Sequence, residues 1–209
     1  VSYPERPKCA LQVGRVRAAY GSDSRQFYIS KPLTMLLIIA LAFGYQSYDH
    51  DGSHAWILLG LCLSLAGDVL LMLPSDRFMQ GLAAFLVAHL CYIVGFAQGP
   101  LLLNLVDGLL LLLIAGMVFG LLWGKLGEMR IPVFCYMLVI IGMAWVAAGA
   151  WHASLTAGSA AALVGALMFL FSDSMLALDR FRRPFPHARA WVMSSYFAAQ
   201  FLIAGSLAG

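Results

Sequence analysis

Between positions 32 and 208 the chain passes through seven apolar runs: residues 32–48, 54–73, 79–98, 101–123, 131–151, 155–178 and 190–208. Each is close to the roughly 20 residues that an α-helix needs to cross a bilayer. In lipid every backbone N–H and C=O must be bonded within the protein, so runs of this length fold as helices. Composition agrees, with 62% hydrophobic and 11% charged residues, against about 45–50% and about 25% in soluble domains. The expected fold class is all-α: a polytopic membrane helix bundle of seven spans over residues 31–209, after a basic, polar arm at residues 1–30. Lys31-Pro32 is expected to open the first span, because proline suits the first turn of a helix and the lysine can snorkel to the interface.

Basic loops stay cytoplasmic. All 13 Lys and Arg lie in the N-terminal arm, ending at Lys31, or in alternate loops: Arg77, then Lys125 and Arg130, then Arg180, Arg182, Arg183 and Arg189. The expected protein is therefore an integral multi-pass membrane protein with a cytoplasmic N-terminus and an outside C-terminus, in the inner membrane if the source is bacterial. The net charge of +3 follows from this topology, and no nucleic-acid partner is expected. The four cysteines, Cys9, Cys62, Cys91 and Cys135, form no C-x-x-C, and three lie inside spans. They read as small buried apolar residues, so neither a disulfide framework, a metal nor a cofactor is expected. Residues 1–30 hold no apolar stretch of signal-peptide length, so no signal peptide is expected.

Two acids stand where lipid or a helix bundle would reject them. Asp68 lies in SLAGDVLLML and Asp173 in FLFSDSMLAL. A charged Asp deep in a membrane helix costs about 3 kcal/mol on insertion scales, so one that persists faces a polar cavity and a function. Each run is followed by the same tripeptide, Asp76-Arg77-Phe78 and Asp179-Arg180-Phe181. Asp68 and Asp173 are 105 residues apart, or four spans, which preserves direction across the membrane. The pattern reads as a parallel duplication of a four-helix unit. In it the fourth span has no partner. Both acids fall about five residues before the end of a span running from outside to cytoplasm, so they are expected to meet at one depth if their helices are neighbours. The bland alternative is two independent structural acids. Gly67 and Ser172, just before them, are small enough to let helices approach closely.

At similar depth lie His89, Tyr92, Tyr196 and Gln200, each of which also reads as an ordinary hydrogen-bonded core residue or interhelical glue. Lys31 reads as a positive-inside anchor and as a partner for a phosphate headgroup. Asp107 and nearby Asn104 sit at the opposite membrane face and are expected to be structural. The segment 180–189 determines topology first and is a phosphate site second.

These residues carry a resemblance. Lys31-Pro32-Leu33, Gly67-Asp68, the F-x-x-x-H-x-x-Y of Phe85, His89 and Tyr92, the G-A-x-x-F-x-x-S-D ending at Asp173, and Tyr196-x-x-x-Gln200 are similar to motifs of the YhhN and TMEM86 family of lysoplasmalogenases. The resemblance extends from Lys31 to the C-terminus. It implies a multi-pass hydrolase that cleaves the vinyl ether of lysoplasmalogens to a fatty aldehyde and glycerophosphocholine or glycerophosphoethanolamine. It also implies eight spans where this chain has seven, so an atypical start is expected.

The residues suit that chemistry on their own terms. A vinyl ether hydrolyses by protonation of its β-carbon to an oxocarbenium ion, which water attacks. One carboxylic acid gives the proton and one carboxylate steadies the cation and activates water, as two carboxyls share the work in glycosidases. Asp68 and Asp173 are the candidate pair, with neither role assigned. Lys31, His89, Tyr92, Tyr196 and Gln200 are the candidate substrate-binding residues, and the partners are a lysophospholipid and membrane lipids. Two other classes also use embedded acids. An intramembrane aspartyl protease would carry G-x-G-D, whereas Leu65-Ala66-Gly67-Asp68 lacks the first glycine. A proton-coupled transporter would hold its acids nearer the midplane.

Overall fold

The computed structural model describes residues 24–45, 52–73, 75 and 77–208. Among them are seven α-helices and no strand: α1 Ser24–Gly44, α2 Ser53–Met72, α3 Phe78–Phe96, α4 Leu105–Leu122, α5 Arg130–Ser154, α6 Ala157–Ala177 and α7 Ala188–Gly205. Six helical segments, α2 to α7 with their short extensions, are long and apolar enough to cross a membrane, and the apolar part of α1, Tyr28–Gly44, is shorter.

The ends of these helices follow local chemistry. Asn104 caps α4, its side chain accepting from the Val106 N–H at 2.9 Å. Thr156 and Ser159 form a reciprocal capping box at the start of α6, which satisfies two otherwise orphaned donors. Beyond Ala177 the helix widens into a π-turn, Leu178–Arg182. There the two D-R-F copies meet: Phe78 and Phe181 pack edge to face at 5.7 Å, and the Arg180 guanidinium lies 3.9 Å from the Phe78 ring. Asp76 lies outside the described residues.

The first helix departs from expectation. It begins at Ser24, so Pro32 is inside it and not at its start. A residue preceding proline resists the helical region, and the proline removes one i to i−4 bond. Lys31, in this turn, makes a tertiary ion pair described below.

Two long pairings dominate the packing, α2 along α3 and α6 along α7. α1 packs on α2 and α7, while α5 packs on α3 and α6, so six helices surround one core. α4 lies outside them against α5 and buries only Gly108, Leu111, Ala115 and Leu122, a stripe at helical spacing. Leu105, Leu109, Leu112 and Leu113 on its other faces are exposed, as suits a lipid-facing helix.

Glycines set the closest approach. A Cβ on Gly60 would lie 2.3 Å from the Tyr92 ring, and one on Gly67 would lie 2.7 Å from the Phe85 ring. These two positions let the aromatic side chains of α3 press directly onto the α2 backbone.

Candidate active site

The core is polar at one end. Asp68 on α2 and Asp173 on α6 each stand four residues before the last residue of their helix, about 6 Å along the axis. Asp68 is 1% exposed. Its Oδ1 lies 2.8 Å from Lys31 Nζ on α1, and its Oδ2 accepts a 2.7 Å hydrogen bond from the Tyr196 hydroxyl on α7. The same ammonium lies 5.5 Å from the centroid of the Tyr196 ring. A carboxylate buried this deeply requires a paired counter-ion; α1 supplies the ammonium and α7 the phenol.

Asp173 has a different environment. Its Oδ2 accepts a hydrogen bond from Tyr136 on α5, and no cation among the described residues lies within ion-pair distance. It is half-buried, more open than Asp68. Ser172, its neighbour, donates at 3.1 Å to the Val192 carbonyl and fixes α6 to α7 at this level.

Rings separate and frame the acids. Phe169, one turn before Asp173, packs edge to face on Tyr196 at 5.4 Å and on His89 at 4.5 Å. His89 also stands 5.4 Å from the Tyr136 ring. It is fully buried and approaches the Phe85 carbonyl one turn back, yet neither ring nitrogen makes a well-formed hydrogen bond. Deeper in, Tyr92 donates to Gln200 Oε1 at 2.8 Å, with Ser64 Oγ 3.2 Å from the same hydroxyl. Gln200 Nε2 makes no well-formed hydrogen bond. Buried polar atoms of this kind are rare in folded proteins.

The candidate residues thus fall into linked groups: Lys31 and Tyr196 on Asp68, Tyr92 with Gln200, and His89 between Phe169 and Tyr136. Lys31 turns inward to Asp68, unlike the outward-reaching side chain expected of a snorkelling lysine. It is 6% exposed, because a buried carboxylate competes successfully for its ammonium. Asp107 is apart from this cluster, 2.7 Å from His152 Nε2 at the N-terminal end of α4. Tyr136 was missed by sequence reasoning, although a signal existed. The 105-residue offset that relates Asp68 to Asp173 also relates Lys31 to Tyr136, and each of the two contacts the acid 37 residues further along. Ser64 carried no such signal.

Fold and site define a polytopic helical membrane protein with two acids embedded near one end of its core. The YhhN family profile matches residues 26–207. The chain is 35% identical over 193 residues, 92% of each chain, to "Uncharacterized membrane protein YhhN" of Escherichia coli O6:H1. It is 38% identical to human "Lysoplasmalogenase TMEM86B", covering 80% of this chain and 70% of that one. With bovine "Lysoplasmalogenase TMEM86A" it shares 35% identity, covering 83% and 73%. No solved structure matches the chain. The protein belongs to the YhhN family.

Proposed function

We propose that the chain is a lysoplasmalogenase, cleaving the vinyl ether of a single-chain lysophospholipid to a fatty aldehyde and a glycerophosphoester, with Asp68 and Asp173 as the reacting pair. The observation that carries this reading is the pair of acids embedded in the bundle with different partners: an ammonium and a phenol on Asp68, a phenol alone on Asp173. Acid catalysis of this reaction asks for one carboxyl that holds a proton and one that does not. The lysoplasmalogenase names of the TMEM86 relatives support the same substrate class.

In this reading the lipid enters from the cytoplasmic leaflet, and its vinyl ether, a few bonds below the phosphate, comes to the depth of the acids. The basic segment at residues 180–189 meets the phosphate, while Lys31 holds Asp68 in place. Tyr196, His89, Tyr92 and Gln200 line the path of the ether oxygen and water. The N-terminus is cytoplasmic and the C-terminus outside. The test is purified protein in proteoliposomes given a 1-alkenyl lysophospholipid. Release of long-chain aldehyde supports the hydrolase, whereas solute uptake into sealed vesicles without aldehyde supports a transporter.

A further inference from the structure

The two carboxyls are not equivalent, and their partners divide the chemistry between them. Asp68 lies between an ammonium at 2.8 Å and a phenol at 2.7 Å, almost without exposure. Both partners are hydrogen donors, so this carboxyl is held as an acceptor. Asp173 receives a single neutral donor, Tyr136, on one oxygen, and it is the more open of the two. A carboxyl in a medium of low dielectric ionises readily only with a cation beside it. Lys31 stands on Asp68 and no such cation among the described residues stands on Asp173, so the proton belongs on Asp173.

We infer that Asp173 is the proton donor to the vinyl ether, that Asp68 is the standing carboxylate, and that Tyr136 is the positioning residue that aims the Asp173 proton. This rests on the hydrolase reading and goes beyond it by assigning the two roles. By occupying Oδ2, the Tyr136 hydroxyl leaves Oδ1 to carry the proton towards the substrate.

The cycle closes on these groups. The Asp173 proton and the alkene π pair form the new C–H bond at the β-carbon, leaving positive charge on the α-carbon and ether oxygen. Water adds to the α-carbon and its proton passes to Asp68, giving a hemiacetal. As the hemiacetal carbon–oxygen bond to the glycerol breaks, Asp68 returns that proton to the departing glyceryl oxygen. The hemiacetal hydroxyl gives its own proton to Asp173 as the aldehyde forms. Both aspartates end as they began, and no oxidant or reductant is needed.

The test is isotopic. Wild type, Tyr136→Phe and Tyr196→Phe, in proteoliposomes, turn over a 1-alkenyl lysophosphatidylcholine in equal parts of H2O and D2O. The aldehyde is reduced at once with borohydride, and the deuterium at the carbon next to the carbonyl is read by mass spectrometry. This H/D ratio is a property of the transfer itself and does not depend on what fraction of the enzyme is folded. The expected result is a ratio in Tyr136→Phe outside the spread of wild-type repeats, kcat lower by about tenfold or more and KM within about twofold. Tyr196→Phe keeps the wild-type ratio whatever its rate. If Tyr136→Phe does not accumulate, Asp173→Glu and Asp68→Glu carry the same comparison, the first expected to change the ratio and the second to preserve it. An unchanged ratio on the Tyr136 and Asp173 side, or a change confined to the Tyr196 and Asp68 side, overturns the assignment while leaving the hydrolase reading intact. A wild type that releases no aldehyde overturns both.

Discussion

Lys31 and Asp68 form an ion pair at 2.8 Å with both side chains almost wholly buried, and that pair ties the first helix of the bundle to the second. It explains why the lysine at the start of the first apolar run is found inside the protein.

Breaking the pair from one side strands a buried charge. Lys31→Met is therefore expected to lower stability in detergent by about 3–5 kcal/mol. The double variant Lys31→Met/Asp68→Leu should recover most of that loss while remaining inactive. Thermal unfolding of the two variants checks this, and a double variant no more stable than the single one would show that the pair is not what Lys31 contributes.

Close packing of α3 on α2 predicts a graded response at two glycines. Gly60→Ala places a methyl 2.3 Å from the Tyr92 ring, whereas Gly142→Ala meets Ile93 Cδ1 at an ordinary 3.6 Å. The first is expected to cost about 1–3 kcal/mol through overpacking and to disturb the Tyr92–Gln200 hydrogen bond. The second should be nearly neutral, and melting temperatures distinguish the two.

The Asp107–His152 contact joins α4 to α5 at the end of the bundle away from the acid pair, and both side chains are partly exposed. Asp107→Asn is expected to leave aldehyde release within about twofold and to change stability by less than about 1 kcal/mol. A loss of turnover comparable to that of the embedded acids would place Asp107 in the reaction.

Orientation is tested by labelling. In a cysteine-free background, Arg182→Cys in the π-turn after α6 should react with an impermeant maleimide only from the cytoplasmic side. Reaction only from outside would invert the proposed route of lipid entry.

Much of the bundle was legible because hydrophobic runs of bilayer length permit little but helices, and because Asp68 and Asp173 sit at matching distances from the ends of theirs. What was hidden is tertiary. Pro32 is a strong local signal for a helix start, yet the helix begins at Ser24 and packs against two others. Tyr136, in an apolar span, looks like any core aromatic until α5 packs on α6 and brings its hydroxyl to Asp173. Lys31 looked like an interfacial anchor because a sequence does not show which buried acid will claim its charge. The matched offset of Lys31 and Tyr136 was nevertheless open to view, since an internal duplication places partners of the two acids at equivalent positions.

The most direct test of the paired-acid hydrolase is aldehyde release from a lysoplasmalogen by purified wild type, Asp68→Asn and Asp173→Asn, with membrane insertion and folding verified for each. The expected result is turnover by wild type and a loss of at least about 100-fold in both variants, the scale of general acid and base contributions. Near-normal release by either variant would contradict it.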